Sequence, residues 1–238
     1  MRSQIEYPYF VMVLFPTLIE VRTCGKIYNM KLILASDLSF LLKYGYDLTG
    51  ISKDHMKIGY VNTAIQVEDD KDKEFMDKVK NTIRENGYNF DEINIAGKNE
   101  KELRNFFKDK NVIHIDGGNT FYLLKIIKET GFDKILKDLL NDNIVYIGTS
   151  AGAYIMCPTI EVSDWSSKND EKFGLGDFFA LNYVPFVLRV HYKEKYEELV
   201  KEKIKTLKYP IHILRDGQGM FCEDGKCRFI GDSEEVTL

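Results

Sequence analysis

The chain has 238 residues, 44% of them hydrophobic and 29% charged, with a formal net charge of -4. That length buries a core without staples, and the composition is neither disordered nor collagen-like. Mild acidity leaves no basic footprint for nucleic acid, and no apolar run reaches the roughly 18 residues that cross a bilayer.

Met1 to Asn29 reads differently from the rest. Tyr9 to Phe15 is apolar and Pro16 interrupts it, with only Arg2 ahead and no small-residue cleavage pattern behind, which makes a poor signal peptide. A strand-like run, Lys31 to Ser36, opens directly after Met30. The expectation is an N-terminal extension or upstream mis-start over 1–29 and one working domain over 30–238.

From there strand and helix alternate. Strands are expected at Leu32–Ala35, Lys57–Asn62, Asp91–Ala96, Val112–Asp116, Ile144–Thr149, Val184–Val190 and Ile211–Leu214. Between them, helices are expected at Asp72–Glu85, Glu100–Lys108, Thr120–Glu129, Phe132–Asn141 and Lys193–Leu207. In the first of these helices Phe75, Val79 and Ile83 share a face, and Gly87 suits its C-terminus. Gly219–Cys222 and Lys226–Ile230, around Asp224-Gly225, read as a closing hairpin. Such alternation means an α/β three-layer sandwich on a mostly parallel central sheet. Cys222 and Cys227 could face each other across the hairpin, but two reduced thiols in a cytoplasmic protein is the favoured reading. The cysteines and histidines show no metal-ligand spacing, so no metal or cofactor is expected.

Ligands of such sheets sit beyond the carboxyl ends of the strands, and two ends carry unusual chemistry. Ile144 to Ile147 runs into Gly148-Thr149-Ser150-Ala151-Gly152, with a helix to follow. This is the nucleophile-elbow pattern in its strand–helix context: the turn lifts the serine hydroxyl clear and aims helix N–H groups at an oxyanion. Small residues there also serve plain close packing, so that alternative stays open. Val112 to Asp116 runs into Gly117-Gly118-Asn119, whose backbone could present a second donor. The bland alternative is a turn with Asn119 as N-cap.

A serine nucleophile needs a base. His55 lies in a charged loop, His114 alternates with Ile113 and Ile115, and His212 has no suggestive polar neighbour. His191 ends a strand and is the preferred candidate. The polar connection from Pro158 to Tyr183 holds Glu161, Asp164, Asp170, Glu171 and Asp177, any of which could orient it.

Four blocks then resemble the peptidase E family: Asp116 to Leu124, Gly148 to Ala153, Pro158-Thr159-Ile160, and Val184-Pro185-Phe186 leading to His191-Tyr192. Those are serine dipeptidases, related to cyanophycinases, on a class I glutamine amidotransferase-like (flavodoxin-like) fold. The resemblance implies Ser150 as nucleophile, His191 as general base, and the Gly118 and Ala151 N–H groups as oxyanion hole. It makes Asp164 the acid, one residue early, with Glu161 as fallback. Val190 stands where a proline is common, and Asp116 where a third glycine is common. No basic residue matches an aspartate-binding role, although Arg189, two before His191, could meet a substrate carboxylate or serve a structural ion pair. The expected function is hydrolysis of dipeptides or short peptides, with an N-terminal aspartyl residue as one option. The expected partner is a short peptide, not nucleic acid or membrane, and the protein a monomer or homodimer. A general serine esterase and a catalytically silent binding or regulatory protein are the alternatives.

Overall fold

A computed structural model describes residues 19–20, 30–165 and 173–238. The leader apart from 19–20, together with Asp170, Glu171 and Cys24, lies outside them.

In chain order the elements are β1 (Ile19–Glu20), β2 (Lys31–Ala35), α1 (Leu38–Phe40), a π turn at Leu41–Gly45, α2 (Tyr46–Leu48), β3 (Ile58–Val61), α3 (Asp70–Glu85), β4 (Phe90–Ile93) and α4 (Glu100–Phe107). There follow β5 (Val112–Ile115), α5 (Thr120–Thr130), α6 (Phe132–Asn141), β6 (Val145–Thr149), α7 (Ala151–Tyr154), β7 (Val187–Arg189), α8 (Glu197–Ile204), β8 (Ile211–Ile213), β9 (Gly219–Glu223) and β10 (Lys226–Ile230). The main sheet runs β1-β10-β9-β2-β6-β5-β3-β4. Its β2-β6-β5-β3-β4 portion is parallel, and β9, β10 and β1 join antiparallel. This is a mostly parallel sheet with helices on both faces and a C-terminal hairpin.

Burial explains the strand sequences. β5 and β6 read Val-Ile-His-Ile and Val-Tyr-Ile-Gly-Thr without a polar face because both faces are covered. One face of the sheet, with Leu32, Leu34, Ile113, Ile115 and Tyr146, meets α4, α5 and α6 through Phe107, Leu123, Ile127, Phe132 and Leu136. The other, with Ile33, Ile58, Tyr60 and Ile147, meets Phe40, Leu41, Tyr46 and Ile83.

Local signals set the helix ends. Asp69 caps α3 by accepting from Asp72 N–H at 2.9 Å, and Gly87 at φ 82° lets the chain turn away after it. Asn99 and Glu102 close a reciprocal capping box on α4. The apolar stripe of α3 is shorter than its spacing implies. Ile83 is buried and Val79 half-buried, but Phe75 is 62% exposed, so only the C-terminal half of the helix packs on the sheet. The helical stretch from Leu38 to Leu48 has no periodic apolar pattern and was not legible as a helix; Asp37 starts it by accepting from Phe40 N–H.

Two further features depart from expectation. β7 and β8 stand outside the main sheet as a two-stranded parallel pair, with Arg189 opposite Ile213. Cys222 and Cys227 form a disulfide where two thiols were favoured: they are direct cross-strand partners in β9 and β10, so no backbone movement is needed to join them. No helix among the described residues is long and apolar enough to cross a membrane.

Candidate active site

Neighbouring strands bring the two unusual strand ends together. β5 and β6 pair in register, Ile115 opposite Gly148, so the Gly117-Gly118 loop and Ser150 emerge side by side. Gly117 packs onto the serine: a Cβ built there would lie 3.3 Å from Ser150 Cβ.

Ser150 has φ 51° and ψ -106°, an unfavourable conformation for a residue with a Cβ. Surrounding bonds hold it there. Its N–H donates to Ala35 O at 3.0 Å, and its carbonyl accepts from Ala153 N–H at 2.9 Å as α7 begins. Gly152 makes the turn possible, since a Cβ there would sit 2.0 Å from Ile115 O. Gly118 is needed for two reasons: its φ is 126°, and a Cβ would strike the Ala64 carbonyl carbon at 2.5 Å. Asn119 N–H donates to Ala64 O at 2.9 Å, fixing the loop from outside. No backbone or side-chain acceptor among the described residues takes the N–H of Gly118 or Ala151, which leaves both for a ligand oxygen.

His191 follows β7 at φ 54°. Its Nε2 is 3.1 Å from Ser150 Oγ, and its Nδ1 is 2.5 Å from Asp216 Oδ1. Ser36 braces this pair: its Oγ accepts from His191 N–H at 3.0 Å and donates to Asp216 Oδ1 at 3.2 Å. The hydrogen bond from His191 holds the Asp216 carboxyl below the usual carboxylate range, against partial burial that pushes it up. Parallel pairing of β7 and β8 delivers Asp216, because Leu214 N–H donates to Arg189 O at 2.8 Å and Tyr192 N–H donates to Leu214 O at 3.0 Å. The loop after β8 is thereby pinned beside the end of β7.

The carboxylate on His191 is therefore Asp216 and not Asp164. Asp164 ends a 3₁₀ turn, Glu161–Asp164, of which Ser163 is the residue that lines the site cavity. The backbone N–H of Glu161 donates to Thr159 Oγ1 at 3.2 Å, and its side chain does not line the cavity. The three hydrogen-bonded residues come in the chain order Ser150, His191, Asp216, where the expected order was Ser, Asp, His. A signal for Asp216 was present: it follows the strand Ile211–Leu214, and strand ends are where this fold places chemistry. The Asp216-Gly217 dipeptide reads as an ordinary turn, which conceals it.

The cavity holds about 650 Å³ and takes in Ser150, Gly118, Asn119, His191, Arg189 and Tyr154. Glu68, Asp69 and Asp72 bring negative charge to it, and Lys193 joins Arg189 in bringing positive charge. Burial, with Asp72 nearby, raises the Glu68 carboxyl above its ordinary value. Arg189 is 4% exposed, donates to Tyr154 Oη at 3.4 Å and stands over the Tyr196 ring. Asn119 caps α5, its Oδ1 accepting from Tyr122 N–H at 3.0 Å. His114 stays structural, with Nε2 2.8 Å from Thr149 Oγ1. His212 pairs with Glu235, and His55 Nδ1 is 2.9 Å from Ser52 Oγ at the surface. Cys157 is buried, and desolvation pushes its thiol up to about 12, which makes it inert.

The model of peptidase family S51 matches residues 41–230. The chain belongs to that family of serine peptidases. It is 31% identical over 162 residues to the uncharacterised peptidase PM1590 of Pasteurella multocida, spanning 68% of this chain and 77% of that one. It is 27% identical over 168 residues to peptidase E of Nostoc, spanning 66% of each. Among solved structures, a Listeria monocytogenes protein described as a peptidase E candidate superposes with a TM-score of 0.72 at 25% identity, over 86% of this chain and 99% of that one. A peptidase from an acI-B1 actinobacterium shares the fold, with a TM-score of 0.65 at 14% identity.

Proposed function

We propose that this S51 chain is a dipeptidase acting on dipeptides or very short peptides through Ser150, His191 and Asp216. The observation that carries the reading is the Ser150 Oγ–His191 Nε2–Asp216 relay, at 3.1 and 2.5 Å, beneath two N–H groups that no acceptor among the described residues takes. His191 Nδ1–H donates to Asp216, which leaves Nε2 as acceptor for the serine proton. As Ser150 Oγ attacks the scissile carbonyl, His191 takes that proton, and the N–H groups of Gly118 and Ala151 hold the oxyanion. Collapse of the tetrahedral species passes the proton from His191 to the leaving amine and forms an acyl-enzyme. Water, deprotonated by the same imidazole, hydrolyses it.

Charge supports a small zwitterionic substrate. Carboxylates at Glu68, Asp69 and Asp72 and cations at Arg189 and Lys193 line one cavity of about 650 Å³, and a dipeptide carries one ammonium and at least one carboxylate. The placement of Asp216 on His191 favours a hydrolase over a catalytically silent protein on this fold.

A panel of dipeptides with Asp, Glu, Asn or a neutral first residue, assayed on wild type and Ser150→Ala, tests the reading. Turnover that Ser150→Ala lowers by several orders of magnitude while the fold survives is the expected result. Equal turnover in both ends the serine-nucleophile reading, and p-nitrophenyl ester hydrolysis without peptide hydrolysis moves the assignment to an esterase.

A further inference from the structure

We propose that Asp116 is a positioning residue, which with Tyr60 holds the Asp116–Gly117 peptide so that the Gly118 N–H of the next peptide points at the oxyanion. The proposal rests on the serine-hydrolase reading of Ser150. Asp116 follows β5 directly and is 3% exposed. Its Oδ1 accepts from Gly117 N–H at 2.7 Å, and its Oδ2 accepts from the Tyr60 hydroxyl on β3. Tyr60 is itself fixed, stacked on Phe90 at 4.6 Å and edge-on to His114 at 4.8 Å.

Geometry ties this pair to the oxyanion site. Asp116 N–H donates to Val61 O at 3.2 Å, so β3 anchors its backbone while Tyr60 anchors its side chain. The next peptide, Gly117–Gly118, has no side chain of its own to orient it. It is held through the peptides on either side: Gly118–Asn119 by Asn119 N–H on Ala64 O, and Asp116–Gly117 by the Asp116 carboxylate on Gly117 N–H. A glycine at 116 would provide only the first.

A carboxylate suits the task because both its partners are donors; a protonated acid must turn one oxygen into a donor and weaken one of the two bonds. Burial pushes the Asp116 carboxyl up to about 7, and the titratable groups around it are Tyr60 on β3, Tyr46 on α2 and His114 on its own strand.

The test uses the full chain, aspartyl p-nitroanilide as substrate and a fluorophosphonate as a second probe of Ser150. Asp116→Ala is expected to lower kcat about tenfold or more with KM within twofold, because an oxyanion donor acts in the transition state. Asp116→Asn keeps an amide oxygen for Gly117 N–H but, like the protonated acid, turns a donor toward Tyr60, and its kcat is expected to fall between those of wild type and Asp116→Ala. On the acid limb of kcat against pH, wild type should titrate one more proton than Asp116→Asn. A folded Asp116→Ala with wild-type kcat overturns the proposal. So does a loss confined to KM. Should Asp116→Ala not fold, identical acid limbs in wild type and Asp116→Asn overturn it. Wild type inert to both probes would instead sink the serine-hydrolase reading and this proposal with it, an outcome distinct from an active wild type whose Asp116 variants do not differ from it.

Discussion

Asp216 Oδ1 lies 2.5 Å from His191 Nδ1, although 25 residues separate them in the chain. Parallel pairing of β7 with β8 creates the contact, and Ser36, at the end of β2, bonds to both partners. His191 is thus oriented from the main sheet and from the small sheet at once.

Removing that carboxylate should cost catalysis and spare the fold. Asp216→Asn is expected to reduce kcat by about 10³–10⁴-fold, through loss of the correct imidazole tautomer. Asp164→Asn should leave kcat within about threefold. Steady-state kinetics on a substrate that Ser150→Ala no longer turns over compares the two directly, and the reverse ranking would return the acid to the Pro158–Tyr183 connection.

The strained elbow depends on the absence of one methyl group. Gly152→Ala must push a Cβ into Ile115 O, 2.0 Å away, and force α7 off β5. A loss of about 3 kcal/mol in urea-induced unfolding is expected, at the upper end of what overpacking a core produces. Gly176→Ala, with open space around it, should change stability by no more than about 0.5 kcal/mol.

The hairpin cross-link is open to a chemical check. Alkylation of the denatured, unreduced protein should leave Cys222 and Cys227 unmodified, in peptides two hydrogens lighter than their reduced form by mass spectrometry. Both residues are buried, and replacing the pair with serine should lower stability by about 2 kcal/mol, the loop-closure contribution of so short a loop. Full alkylation of both before reduction would show that the thiols stay open.

Asp116 gives stability a pH signature. Its native carboxyl is raised to about 7 from 3.8. Between those values the folded state binds the extra proton, so this group's favourable contribution is complete below about pH 4 and disappears as pH rises through 7. A shift of that size corresponds to about 4 kcal/mol. Asp116→Asn should therefore gain in Tm relative to wild type from pH 5 to pH 8, and a constant difference would show that the carboxyl titrates normally in the folded protein.

Much of this protein was written locally. The β-branched runs and amphipathic stretches gave the α/β class, because a sheet covered on both faces needs strands apolar on both. Gly148-Thr149-Ser150-Ala151-Gly152 identified the elbow, because only small residues permit that backbone conformation. His191 was legible as the end of a strand. What the sequence could not supply was anything decided by pairing between distant segments. Whether Asp216 or Asp164 meets His191 depends on the register of β7 against β8, which no local pattern encodes. The Cys222–Cys227 bond depends on hairpin register in the same way. The exposure of Phe75 depends on how far α3 overlaps the sheet, and the loop-holding geometry of Asp116 on Tyr60 arriving from a strand more than fifty residues earlier. Local sequence fixes backbone preference and side-chain chemistry; which charged group faces which is settled when the strands align.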